Sequence, residues 1–194
     1  MEIEVHPLDP DRLQDWLAFF DREAFADNPE WAACYCLFYH TPDPDWEARS
    51  GAQNREEASA RIRSVALRGF LAYRGGRPIG WCQADGKERF ARLAAESEQW
   101  GAALAEERLL SVVCFVIAPD CRRQGVARRL LQAACRSGAA QGYHWAEAYP
   151  RKQALSAAQA YHGPLALYRR EGFTMHRELE QFWIVRRDLR PLKP

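Results

Sequence analysis

The residues Arg122-Arg123-Gln124-Gly125-Val126-Ala127-Arg128 combine what anion chemistry requires. Arg122, Arg123 and Arg128 supply positive charge. Gly125 and the small Ala127 let a ligand come close to the backbone. The pattern turns helical from Gly125 onward. The first N–H groups of a helix lack internal partners and sit at the positive end of its dipole. A pyrophosphate is the natural guest of such a turn.

Two elements must hold that turn in place. Before it runs an apolar stretch, residues 109–118, which reads as a central strand and is ended by Pro119. After it, Val126, Leu130, Ala133 and Ala134 form one apolar stripe, with Arg128, Arg129, Gln132 and Arg136 on another face. The unit is therefore strand, basic turn, helix.

The rest of the chain supplies the other elements. Residues 2–6 alternate as a first strand. Asp9 caps and Pro10 opens a helix whose Leu13, Trp16, Leu17 and Phe20 share a face, ending near Arg22. Asn54 and Glu57 have capping-box spacing, Ala58, Ile62, Val65 and Ala66 form a second helical stripe, and Gly69 is its expected stop. Phe70–Arg74 and Pro78–Gln83 read as a hairpin around Gly75-Gly76. Arg92–Glu107 includes a short helix, the central helix runs to Gln141 with Gly142 as its stop, and Tyr143–Tyr149 is the next strand. A short helix follows from Gly163-Pro164 to Glu171, then an antiparallel pair, 173–176 and 182–188.

Composition narrows the function. Lys plus Arg is 27 against 26 for Asp plus Glu, so the chain lacks the strong basic excess of a dedicated nucleic-acid binder. The start of the chain has no signal-peptide pattern, and no apolar run reaches the roughly 20 residues of a membrane span. A cytoplasmic protein is expected, one domain over residues 1–194, with its six cysteines as free thiols. Cys34-x-Cys36-x-x-x-His40 has two cysteines and a histidine but no second half-site, so no metal is expected. The surrounding Trp31, Tyr35, Phe38, Tyr39 and Trp46 read either as a wall of a binding pocket or as a cap on the core. Trp81 reads as a core residue or as facing the substrate groove.

The sequence Arg122-x-x-Gly125-x-Ala127 after a strand ending Val116-Ile117-Ala118-Pro119 resembles the acetyl-CoA motif of the GNAT N-acetyltransferases. Tyr168-x-x-x-Gly172-Phe173 resembles that family's C-terminal signature. The resemblance implies an α/β (α+β) fold: a mixed, mostly antiparallel central sheet with helices on both faces and splayed fourth and fifth strands, here 109–118 and 143–149. It implies acetyl-CoA as cosubstrate and an amine-bearing acceptor as partner. It also implies that the backbone around Phe115, Val116 and Ile117 pairs with pantetheine. The turn Arg122, Arg123, Gln124, Gly125, Val126, Ala127 and Arg128 would hold the pyrophosphate. Tyr168 would protonate the leaving thiolate, although its own surroundings equally fit a packed aromatic. Where some relatives carry a basic Glu on the central strand, this chain has Ser111, which leaves Glu106, Glu107 and Glu147 as candidates. Tyr161 replaces an Asn of many relatives. A catalyst, a non-catalytic CoA-binding or regulatory module and an anionic-surface binder remain open, as does a homodimer.

Overall fold

The computed structural model describes residues 2–42, 45–95, 108–153, 156 and 159–190. Seven strands form one sheet: β1 (Glu4–Pro7), β2 (Gly69–Arg74), β3 (Arg77–Gly86), β4 (Leu109–Ile117), β5 (Trp145–Ala148), β6 (Thr174–Glu178) and β7 (Trp183–Asp188). Their spatial order is β1-β2-β3-β4-β5-β7-β6. The pair β4–β5 is parallel, and the others are antiparallel.

Helices cover both faces. On one lies α4 (Val126–Ala140), the long helix after the basic turn. It approaches β3 closely because Gly80 has no side chain: a Cβ there would lie 2.8 Å from Val126 and 2.9 Å from Ile117. On the other face lie α1 (Leu13–Ala18) and α2 (Gly51–Arg63). Trp16 of α1 meets Trp81 edge-on at 6.0 Å, and Trp81 is wholly buried, so its core reading holds. The short α3 (Ala91–Ala95) lies in the expected 92–107 segment; residues 96–107 of that expectation fall outside the described residues. The last helix is α5 (Leu165–Arg170), stopped before Gly172 at φ 81°. Among the described residues no helix is long and apolar enough to cross a membrane.

Three local expectations need correction. The first helix is a 3₁₀ turn (Pro10–Arg12), then α1, then a π turn (Phe19–Glu23). The wider turn brings the consecutive Phe19 and Phe20 into the core together. The capping box of α2 is Ser50 with Gln53, one turn before Asn54 and Glu57. Asn54 is instead buried within the helix, donating to the Ala33 carbonyl at 2.9 Å and accepting from Arg49 at 2.6 Å. Nor does Gly69 stop that helix, which ends at Arg63. Gly69 opens β2 beneath Trp81, where a Cβ would lie 2.3 Å from the indole ring. Val65, at φ 58°, takes the left-handed position after the helix.

The sheet opens in the middle. β4 pairs with β5 from Leu109↔Trp145 to Val112↔Ala148, and then the ladder stops. A register shift on the β3 side, between Gln83↔Cys114 and Ala84↔Val112, bulges β4 at the same level. Below the opening, buried polar side chains bind the strands together. Glu147 of β5 lies 2.7 Å from both Lys87 and Arg186 and accepts from Tyr149 at 2.7 Å, while Ser111 of β4 meets Tyr149 at 2.8 Å. The Glu147 carboxylate has two cationic partners, which compensates its removal from water.

Candidate active site

The central strand leads straight into the basic turn. Pro119 stops β4, a 3₁₀ turn (Pro119–Cys121) redirects the chain, and Gly125 at φ 84° starts α4. A Cβ on Gly125 would meet nothing within 4 Å, so the space over the helix end is open. The first bond back into the turn is Arg129 N–H to the Gly125 carbonyl at 3.1 Å. The N–H groups of Val126, Ala127 and Arg128 therefore have no acceptor inside the helix. Val126 is buried against Gly80 and anchors this end.

The arginines divide by role. Arg122 turns back, donating to the Ile117 carbonyl at 3.2 Å and pairing with Asp27 at 2.9 Å, so it fastens the turn to the segment after α1. That guanidinium holds the Asp27 carboxyl below its ordinary value. Arg128 pairs with Glu171 of the α5 cap at 2.5 Å, and Gln132 donates to the same carboxylate at 3.0 Å. Gln124 accepts from Arg74 at 2.7 Å and donates to the Asp120 carbonyl at 2.8 Å. Arg123, at φ 61°, is exposed. A cleft of about 640 Å³ lies over this helix end, lined by Arg74, Arg128, Arg129, Gln124, Gln132 and Gly125 together with Glu2 and Ile3. Arg74 and Arg129 were outside the expected ligand set. Arg129 carried a signal, one residue beyond that set on the same helix; Arg74 ends β2, far away in sequence, and had none.

Phe115, Val116 and Ile117 lie on β4 beyond its last pairing with β5. Phe115 faces the side of α5, with its ring 6.5 Å from that of Tyr168. Val116 sits across from Trp81, and Ile117 across from Gly80. Beside this stretch runs the turn Gln159–His162, followed by Gly163 at φ 77°, where a Cβ would lie 3.4 Å from the Phe115 ring.

Tyr168 is wholly buried, and its hydroxyl donates to the His162 carbonyl at 2.5 Å. Burial holds its proton well above the usual tyrosine value. The His162 ring is buried as well, with Nε2 3.1 Å from the Tyr39 hydroxyl. Burial, reinforced by the charge of Arg151, lowers its pKa to about 3, so the ring is neutral at pH 7.

The aromatic segment lies on the opposite face of β4. Tyr39 and His40 are buried, and Tyr35 stacks on Phe20 at 6.0 Å and donates to Asp21 at 2.8 Å. These rings cap the core. Trp31 differs: it is half-buried and packs on half-buried Tyr161 at 5.7 Å, spanning from this segment to the turn beside β4. Of the candidate bases, Glu147 is held by two cations and Ser111 by Tyr149, while Glu106 and Glu107 lie outside the described residues. Among the described residues no group of three His, Cys, Asp or Glu is placed to hold a metal ion.

Known proteins resemble this arrangement as a whole. No curated protein matches the sequence significantly. Many solved structures share the fold. The PaiA N-acetyltransferase of Thermoplasma acidophilum, solved with coenzyme A, is 13% identical, with 97% of this chain and 99% of that one covered at a TM-score of 0.58. YncA of Salmonella typhimurium, solved with acetyl-CoA, is 12% identical over 96% of this chain and 94% of that one at 0.54. The ribosomal-protein-S18-alanine N-acetyltransferase of Escherichia coli is 13% identical over 99% and 97% at 0.53. The model of the acetyltransferase (GNAT) family matches residues 30–173, a span containing β4, the basic turn and Tyr168, and the chain belongs to that family.

Proposed function

We propose that the protein transfers the acetyl group of acetyl-CoA to a primary amine, by direct attack within a ternary complex. One observation carries this reading: β4, no longer paired with β5 beyond Val112, runs directly into a helix end whose first three N–H groups have no acceptor inside the helix. A pantetheine arm can add to that edge as a short strand would, its amides pairing with the backbone at Phe115, Val116 and Ile117. The pyrophosphate then meets the N–H groups from Val126 to Arg128, with the cleft arginines screening its charge. The presence of coenzyme A or acetyl-CoA in solved relatives of the same fold supports the choice of cosubstrate.

The reaction needs a neutral amine, a polarised thioester carbonyl and a proton for the leaving sulfur. A lysine-like amine with a pKa of about 10.4 costs roughly 4–5 kcal/mol to deprotonate at pH 7. A β4 backbone N–H beyond the last β5 pair serves as donor to the thioester oxygen. Tyr168 supplies the proton. Its hydroxyl rests on a neutral carbonyl, and a thiolate arriving nearby is the stronger acceptor.

A second reading, a CoA-binding module without catalysis, is favoured by one feature: Ser111 and Glu147 are both committed to other groups. One experiment separates the two. Purified protein is incubated with acetyl-CoA and a panel of small amines, amino acids and peptides, and free CoA thiol and acetylated product are measured. Product with stoichiometric CoA release is expected. Tight CoA binding with no transfer to any acceptor would support the second reading, and no CoA binding would refute both.

A further inference from the structure

Cys36 and Cys114 come from distant parts of the chain, yet their sulfur atoms lie 3.9 Å apart. Cys114 sits on β4 just past the last residue paired with β5 and opposite Gln83 at the bulge. Cys36 arrives on an unusual backbone. Tyr35 and Cys36 are consecutive residues with φ 44° and φ 53°, and neither is glycine. Left-handed conformations of such residues cost of order 1 kcal/mol or more each and persist only where surrounding contacts enforce them. Here the contacts hold Cys36. Trp81 Nε1 donates to its sulfur at 3.1 Å, and Gln83 Nε2 donates to its carbonyl at 2.9 Å. The strain presents one thiol to another on the strand from which acetyl transfer is proposed to occur.

We propose that Cys36 and Cys114 form an oxidative modification site, closing to a disulfide when a small hydroperoxide reaches them. Half-buried Cys114 is the entry point, since Cys36 is only 3% exposed. The Cys114 thiol reduces hydrogen peroxide, giving Cys114 sulfenic acid and one water. The Cys36 thiol then attacks that sulfur; the S–S bond forms as the S–O bond breaks, and its proton leaves with hydroxide as a second water. The two thiols together give up two electrons, which peroxide takes. Burial pushes the Cys36 thiol well above its ordinary pKa, so the second step is slow. The same burial slows reduction of the finished disulfide, which a small thiol such as dithiothreitol reaches from the half-buried Cys114 side. Closure ties the segment carrying Trp31 and Tyr39 to β4 and restricts access from that face. This functional consequence, unlike the chemistry, rests on the acetyltransferase reading.

The test uses the full chain treated with hydrogen peroxide, then denatured, alkylated, digested and mapped by mass spectrometry. Free thiols are expected to fall from six by two, with one new cross-linked peptide joining Cys36 to Cys114. In Cys36→Ser the cross-link is absent and dimedone traps sulfenic acid on Cys114; in Cys114→Ser Cys36 stays reduced. Over-oxidation of Cys114 to sulfinic acid in the native chain, or a disulfide from Cys114 to Cys34, would overturn the site. Acetyl transfer should fall several-fold in the cross-linked protein and return with dithiothreitol. A cross-linked protein with unchanged turnover would overturn the restriction of access. Reduced protein that transfers nothing would count against the acetyltransferase reading alone, with the peptide map still deciding the site.

Discussion

Tyr168 holds its proton against the His162 carbonyl, deep in the core between Phe115 and Phe173. Tyr168→Phe keeps those ring contacts and removes only the hydroxyl. With chemistry rate-limiting, turnover should drop about 10²–10⁴-fold, the range for a lost general acid, while CoA affinity changes little. Unchanged turnover would move the acid role to another residue or to water. The position of this tyrosine was legible from Gly172-Phe173 following it, but the partner of its hydroxyl was not. His162 precedes it by six residues, and only the left-handed turn at Gly163 brings that carbonyl back to the ring. The roles of the arginines were equally hidden. Arg122 stood out by charge and spacing, but its pairing with Asp27, whose placement depends on the π turn after α1, had no signal in the sequence. Such pairings between distant residues leave no local pattern.

The elements themselves were readable wherever an apolar stripe met a strong stop. β4, the turn and α4 all appear where Pro119, Gly125 and Gly142 place them. α2 misled at both ends for physical reasons. Two consecutive Ser/Asn–Gln/Glu spacings, Ser50–Gln53 and Asn54–Glu57, competed for its start, and at its end a valine sits where glycine is cheapest. Val65 is 45% exposed at φ 58°, while the Ala66 N–H closes on the Arg61 carbonyl at 2.7 Å. Val65→Gly should relieve the left-handed strain and stabilise the protein by about 1 kcal/mol, readable as a raised urea midpoint. A lower midpoint would show that the valine side chain contributes more in contacts than its backbone costs. Gly69, by contrast, is kept small by the Trp81 ring, a packing constraint that a sequence pattern cannot distinguish from a helix stop.

At the scale of the molecule, one sheet is clamped at one end of its β4–β5 junction and open at the other. The clamp joins Lys87, Glu147, Arg186, Tyr149 and Ser111, and the opening leads to the basic turn. The motifs announced this layout, whereas the polar clamp was not foreseen because its members come from separate strands. Burial also makes the fold sensitive to acid. It is the main cause lowering His162 to about 3 and His40 to about 4, with Arg151 and Arg61 adding to each in turn. Unfolding returns both to about 6.5, so below that value the unfolded chain binds more protons and stability falls with pH. The loss should approach about 2 kcal/mol per histidine by pH 5, above the range where most carboxylates titrate. Chemical denaturation at pH 7 and pH 5 measures it, and His162→Gln should remove its share of the slope. The central claim, that the turn after β4 holds the CoA pyrophosphate, is tested most directly by calorimetric titration of CoA into Gly125→Glu and Gly125→Lys. Both variants carry the same backbone strain at φ 84° and project into the same open space, but with opposite charge. If pyrophosphate sits there, Gly125→Glu should bind CoA at least tenfold more weakly than Gly125→Lys, about 1.4 kcal/mol. Equal affinities in two folded variants would place the pyrophosphate elsewhere and contradict the assignment.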